Sequence, residues 1–174
     1  EQQAHPGIEA FVQMLWDTGM TIGHALRSVT QAVDYARDDV EIMTNLLEAR
    51  AIEDPAGLLE QVQSEMDAQA IWPSGEYYRA KREEQKARHR KFRSTSYALE
   101  PNLKSSPGGL RDIQLVGWIA KRHFNATSLQ QLTQLGVFTV QEYKSLRSCQ
   151  NYLWRVRYAL HRVTGRREDR LLFD

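Results

Sequence analysis

The segment from Leu99 to Ile113 carries the densest chemistry in the chain. It places Lys104, the hydroxyls of Ser105 and Ser106, and a Pro107-Gly108-Gly109 turn directly before a predicted helix whose first turn holds Arg111 and Asp112. Backbone N–H groups at a helix start attract anions, and paired glycines let a ligand approach the backbone closely. The ammonium of Lys104 and the forked guanidinium of Arg111 would add charge for a phosphate group. By composition alone such a stretch is more often a plain turn, with an anion-binding loop as the alternative.

Other familiar chemistry is missing. The chain has no Gly-x-Ser-x-Gly elbow, no Gly-x-x-x-x-Gly-Lys-Ser/Thr loop, no His-Glu-x-x-His pair and no adjacent His-Asp. Five histidines, His5, His24, His89, His123 and His161, stand at no metal-ligand spacing from one another. A single cysteine, Cys149, excludes a disulfide framework and a multi-cysteine zinc site. Asp39 and Glu41 could chelate magnesium from a strand, but the surrounding spacing is helical. Residues two apart on a helix point roughly 200° from each other, so this pair reads as a solvated face.

The elements that must position the loop are nearly all helices. Ile8, Phe11, Val12, Leu15 and Trp16 follow helical spacing, which predicts a short helix ending near Asp17-Thr18-Gly19. Met20–Leu26 is the one expected strand. Val29, Ala32, Val33 and Ala36 fit the next helix, and Ile42, Leu46, Leu47 and Ala51 another. Asp54-Pro55 reads as an N-cap followed by proline at the first helical position, with Leu58, Leu59, Val62, Met66 and Ala70 turned inward. Ser74 is expected to cap a long basic helix running to about Phe92, and an irregular stretch over 93–109 follows. A helix from Leu110 to Phe124 comes next, then a short one after Thr127-Ser128. Thr139 and Glu142 form a capping box for a last helix. Its stripe of Leu146, Cys149, Leu153, Val156, Leu160 and Val163 has heptad spacing, which predicts packing in a bundle with Cys149 and Leu153 in the core.

A formal net charge of +1 conceals two opposed halves. Residues 1–72 hold thirteen acidic against three basic side chains, whereas 73–174 hold nine acidic against twenty basic. The basic half is suited to phosphates, to an acidic partner or to the acidic half itself. No apolar run approaches the roughly 18–20 residues of a membrane span, and no signal peptide opens the chain. The expected setting is reducing, cytoplasmic and away from the membrane.

The run Tyr97-Ala98-Leu99-Glu100-Pro101-Asn102-Leu103-Lys104-Ser105-Ser106-Pro107-Gly108-Gly109-Leu110-Arg111-Asp112-Ile113 resembles the bacterial bifunctional uridylyltransferase/uridylyl-removing enzymes, which modify the nitrogen-regulatory protein P-II. A related Lys-x-x-x-Gly-Gly-x-x-Asp-Ile pattern is similar to one in glutamine-synthetase adenylyltransferase. Leu15-Trp16-Asp17 with Gly23-His24 and Arg27, the run Thr44-Asn45-Leu46-Leu47-Glu48-Ala49-Arg50, and Arg170-Leu171-Leu172-Phe173-Asp174 resemble further family segments. Ala25-Leu26, Ser28 and Ala51–Pro55 depart from the family pattern.

The resemblance implies a piece of a nucleotidyltransferase of the DNA-polymerase-β-like superfamily. Residues 1–53 would be the C-terminal part of the nucleotidyltransferase domain and 54–174 the helical domain. The expected fold is mainly α: an antiparallel bundle after about residue 54, with a small residual strand region near the N-terminus. The resemblance further implies UTP as nucleotide, P-II as protein partner and Mg2+ as cofactor, with the main magnesium ligands upstream of this chain. Lys104, Ser105, Ser106, Gly108, Gly109, Arg111, Asp112, Thr44, Arg50, Arg27 and His24 would serve the nucleotide and its phosphates. Asp17 is a candidate catalytic carboxylate, although a strand over Met20–Leu26 would put the equivalent position nearer Gly23. The rival reading is a helical protein-binding or nucleic-acid-binding module using the basic stretch 79–93. Phe92 is its one aromatic, so base stacking and nucleic acid are poorly supported.

Overall fold

Capping side chains decide where several of the helices begin. The computed structural model describes residues 6–92, 99–126 and 128–172. Among these residues eight helices are formed: α1 (Pro6–Asp17), α2 (Val29–Asp38), α3 (Val40–Glu48), α4 (Leu58–Ala68), α5 (Ser74–Lys91), α6 (Leu110–Phe124), α7 (Gln131–Gln134) and α8 (Val140–Thr164). Ser28 opens α2 with a capping box, its hydroxyl accepting from Gln31 N at 3.2 Å while Gln31 Oε1 accepts from Ser28 N at 3.0 Å. Thr139 and Glu142 make the expected box at α8.

Three starts differ from expectation. Asp39 does not lie on a helical face: it ends α2 and caps α3, its carboxylate accepting from Glu41 N at 2.6 Å and Ile42 N at 3.2 Å. Asp54 does cap α4, accepting from Leu58 N at 2.7 Å and Leu59 N at 2.9 Å, but across a turn. Gly57 there is left-handed at φ 65°, so Pro55 lies outside the helix. Leu58 and Ala70 are exposed, while Val62 and Met66 are buried. Ser74 is the first residue of α5 and not its cap. Its hydroxyl pairs with His123 Nδ1 at 3.0 Å.

The corner between α4 and α5 is strained, with Ala70 at φ 48° and Trp72 at φ 50°. Arg122 of α6 holds it in place. Its guanidinium donates to Trp72 O at 2.9 Å, Ile71 O at 2.8 Å and Asp67 Oδ1 at 3.2 Å. The Trp72 indole in turn donates to Ala36 O at 2.8 Å.

One core draws on helices from both sides of residue 54: Ala32, Val33 and Ala36 of α2, Met43 of α3, Val62 and Met66 of α4, Tyr77 of α5, and Leu115 and Trp118 of α6. Helix α2 packs on α3 and α4, and α6 packs on α3, α5 and α8. A smaller cluster of Ala120, Ala126 and Leu132 lies beyond it. The fold is mainly α, but the expected antiparallel bundle after residue 54 is not seen as such, because α4 packs against α2 and α6 serves as a hub. The expected strand is absent too. Residues 20–28 are irregular, and no strand occurs among the described residues, since a strand exists only by pairing and nothing extended lies alongside. The one β-type contact is an isolated antiparallel bridge between Asn102 and Arg170.

Helix α8 buries no residue. Leu146, Leu153, Val156 and Leu160 are half-buried, whereas Cys149 is exposed and Val163 is 86% exposed. Heptad spacing establishes that residues share a face, not that a partner covers it. The apolar side chains of α1 fare alike, with Ile8, Phe11, Met14 and Trp16 exposed. Among the described residues no helix is long and apolar enough to cross a membrane.

Met43 is fully buried among three helices, so Met43→Ala should cost about 2–5 kcal/mol of stability, the usual range for such truncations. Leu153→Ala, on the half-buried face of α8, should cost less than about 2 kcal/mol. Denaturant unfolding of both variants checks the order, and a larger loss at Leu153 would contradict the placement of α8.

Candidate functional site

The Lys104–Arg111 loop is a closed backbone structure. Asn102 starts it: its side-chain carbonyl accepts from Lys104 N at 3.1 Å and Ser105 N at 2.7 Å, while its own N–H donates to Ser106 Oγ at 2.8 Å. The chain then doubles back, so that Leu110 N donates to Leu103 O at 3.0 Å and Arg111 N to Lys104 O at 2.8 Å. Asp112 N donates to Gly109 O at 3.0 Å. The first amides of α6 are therefore satisfied internally, which removes the helix-start anion site that the sequence suggests. The glycines have structural reasons of their own. Gly108 is left-handed at φ 80°, and a Cβ on Gly109 would lie 2.9 Å from both Leu103 O and Ser106 O.

Two aspartates fasten this loop to its neighbours. Asp112 accepts from Gly108 N at 2.8 Å, Gln85 Nε2 at 2.9 Å and Arg88 Nη2 at 2.5 Å, and His89 Nε2 lies 3.0 Å from both oxygens. Gln85, Arg88 and His89 sit at i, i+3 and i+4, one face of α5. Burial works against the ionised Asp112 carboxyl, but the hydrogen bonds from Gln85, Gly108 and His89 together hold its pKa below the ordinary value. On the other side, Asp169 accepts from Arg157 Nε at 2.5 Å, with His161 Nε2 at 3.4 Å; both partners lie on α8. Burial again opposes ionisation, and Arg157, His161 and the nearby Lys104 outweigh it, so this pKa is lowered as well. The Asp169 segment reaches the loop through its backbone, with Leu103 N donating to Asp169 O at 2.8 Å and Leu171 N to Pro101 O at 3.0 Å.

Arg111 reaches a cleft of about 250 Å³ between α3, α5 and α6, lined by Glu41, Thr44, Asn45, Glu48, Lys81, Glu84, Arg111 and Trp118. Its guanidinium carbon is 5.4 Å from the centre of the Trp118 ring, and it donates to Gln114 at 3.2 Å. It has no ion pair among the described residues. Lys81 is only 2% exposed, with its ammonium 4.4 Å from the same ring and paired with Glu84. Thr44 is buried. Its hydroxyl donates to Val40 O at 2.6 Å and lies 2.9 Å from the Tyr77 hydroxyl. Burial pushes the Tyr77 phenol up to about 12, so it keeps its proton and can donate to Thr44.

The structure thus brings Thr44 and Arg111 to one cleft, and Lys104 and half-buried Ser105 to the adjoining loop. Ser106 is buried, with its hydroxyl spent on Asn102. The other predicted residues lie elsewhere. Arg50 is exposed beyond the end of α3. Arg27 stacks on Tyr35 at 4.6 Å, and His24 meets the Trp16 ring edge at 5.3 Å. Asp17 is exposed on α1 and accepts from Gln13 at 2.8 Å. Among the described residues no three His, Cys, Asp or Glu side chains are placed to hold a metal jointly. Tyr97, Ala98, Arg93, Thr127, His5, Phe173 and Asp174 lie outside the described residues. Sequence reading missed Lys81, Glu84, Trp118 and Arg122. Their signal was inward spacing on α5 and α6, masked on α5 by the density of charge.

A family model described as GlnD PII-uridylyltransferase matches residues 76–174. The chain is 50% identical over 167 residues to a bifunctional uridylyltransferase/uridylyl-removing enzyme of Ectopseudomonas mendocina, covering 96% of this chain and 19% of that protein. Proteins of the same description from Hydrogenovibrio crunogenus and Azotobacter vinelandii are 49% and 47% identical, covering 99% and 96% of this chain and 19% of each relative. The chain therefore spans about a fifth of the length of these curated relatives. No solved structure matches it.

The two aspartates predict an acid response. Each has a folded-state pKa below the ordinary 3.8. Their stabilisation is therefore complete above about pH 4 and is lost as pH falls through the folded values. Asp112→Asn and Asp169→Asn should each be less stable than the parent near neutrality and should lose less further stability on acidification below about pH 4. Unfolding curves taken across that range check this, and parallel acid profiles for parent and variants would contradict it.

Proposed function

The chain belongs to the PII-uridylyltransferase family, and from that premise we propose that it forms the phosphate-holding part of an enzyme that moves UMP from UTP to a tyrosine of P-II in nitrogen-status signalling. Residues 1–53 would be the tail of the nucleotidyltransferase domain, docked through α2 and α3 onto the helical domain of 54–174. The observation that carries the reading is the meeting of two family-like segments. Thr44, Asn45 and Glu48 of one, and Arg111 of the other, line a single cleft, and among the described residues Arg111 has no ion pair.

In this reading Arg111 takes a phosphate with its fork, and Lys104 adds a second positive charge from the loop. Lys81, held by Glu84 and Trp118, forms a buried ion pair in the wall of the cleft. Thr44 shapes the floor, since its hydroxyl is already engaged. Ser105, on the same loop as Lys104, would border the nucleotide in the intact enzyme. The P-II tyrosine oxygen attacks the α-phosphorus in line, the bond to the bridging oxygen breaks, and pyrophosphate leaves. The carboxylates that hold magnesium are expected from segments outside this chain. The setting is cytoplasmic.

Part of the charge of α5 is engaged within the molecule, Lys81 with Glu84, Lys86 with Glu83 and Arg88 with Asp112, while Arg79, Arg82, Arg90 and Lys91 stay exposed. The basic stretch 79–93 has one aromatic, Phe92, so base stacking on it is poorly supported.

In full-length enzyme, Arg111→Lys and Lys104→Ala should each lower uridylyl transfer to P-II about tenfold or more, the scale of one lost charge-assisted contact. Uridylyl removal should stay within about twofold. Steady-state assays of both activities provide the check, and undiminished transfer would overturn the reading. The isolated chain should show no transfer with UTP, magnesium and P-II, and turnover by it would contradict the division of labour proposed here.

A further inference from the structure

The loop bearing Lys104 and Arg111 touches the rest of the molecule at two carboxylates, and each carboxylate collects an arginine and a histidine from one helix. Asp112 gathers Arg88 and His89, with Gln85, from α5 and passes the hold to Gly108 N. Asp169 gathers Arg157 and His161 from α8 and passes it through its backbone to Leu103. Between these anchors, the Leu110–Leu103 and Arg111–Lys104 backbone bonds join both ends of the loop into one unit. Neither carboxylate can itself receive a phosphate, since both are negative and their oxygens already accept from two or more donors.

We infer that Asp112 and Asp169 are positioning residues for uridylyl transfer, and that α5 and α8 act as the two jaws that hold Lys104 and Arg111 at a fixed separation. This rests on the reading that those two cations serve the nucleotide phosphates. A guanidinium fork works only when its two N–H vectors meet two oxygens together, so a small rotation of the α6 start forfeits the contact while leaving the charge in place. Two opposed anchors resist that rotation better than one. The arrangement also gives inward Arg88 of α5 its partner, Asp112.

The test is a pair of double-mutant cycles in full-length enzyme. Asp112→Asn and Asp169→Asn are each made alone and together with Arg111→Lys, and kcat for P-II uridylylation, KM for UTP, uridylyl removal and melting temperature are measured. Residues acting through one unit are non-additive. Each asparagine variant is expected to cost about tenfold in transfer alone but less than about twofold in the Arg111→Lys background. Uridylyl removal should hold in every case. Equal losses in both backgrounds, or transfer and removal falling together, would overturn the inference in favour of a purely structural role. Full transfer in both asparagine variants, with Arg111→Lys still impaired, would overturn it while leaving the phosphate reading intact. Undiminished transfer in both Arg111→Lys and Lys104→Ala would remove the phosphate reading, and this inference with it. Where an asparagine variant fails to fold, Gln85→Ala and His161→Gln, each removing one contact from an anchor, enter the same cycles with the same expectations.

Discussion

Asp112 is the point on which the site depends. A carboxylate has room for about four hydrogen bonds, and here backbone, amide, guanidinium and imidazole donors supply them. Each donor comes from a different chemical group, yet three of the four belong to one face of α5. The Pro-Gly-Gly turn, the start of α6 and the register of α5 are thereby fixed by one side chain. Geometry farther out follows from it, since α6 is the hub against which α3, α5 and α8 pack.

The opposed charges of the two halves of the chain find part of their explanation in this packing. Glu41 and Glu48, from the acidic half, line the same cleft as Lys81 and Arg111 from the basic half. Arg122 crosses in the same sense to Asp67. Lys81 is the extreme case: a side chain withdrawn from water and set between Glu84 and the face of Trp118. Such a group is costly to bury alone, and the two partners offset that cost together. The cleft thus sets a buried ion pair beside the guanidinium of Arg111.

Some of this was legible in the residues and some was not, for identifiable reasons. Helix α6 runs over the predicted Leu110–Phe124, and the capping box at Thr139 is present, because both signals are local. The Lys104–Arg111 segment announced itself by composition, but the destination of its amides did not. That depends on the chain doubling back, which no spacing rule encodes. Cys149 and Val163 share a stripe with Leu153 and still face solvent, since periodicity fixes a face and only a partner can bury it. Asp39 was misplaced on a helical face because a residue that ends one helix and opens another leaves no gap in the pattern. Lys81 was hidden among eight basic residues of one stretch, where inward and outward cations look alike until Trp118 is placed beneath one of them.

The corner at residues 70–73 carries a consequence for how the molecule is assembled. Its left-handed Ala70 and Trp72 are held by a guanidinium whose partners lie 50 and 51 positions earlier in the chain. Ala70 also closes the end of α4 locally, with Ile71 N donating to Met66 O at 3.1 Å and Ala70 N to Asp67 O at 3.0 Å, so what α6 adds is the hold on the carbonyls of Ile71 and Trp72. Closing so long a loop carries an entropic cost that nearby contacts do not. The α4–α5 junction is therefore complete only when α6 is in place and Arg122 reaches it, which ties the integrity of that corner to the docking of a helix far away in the chain.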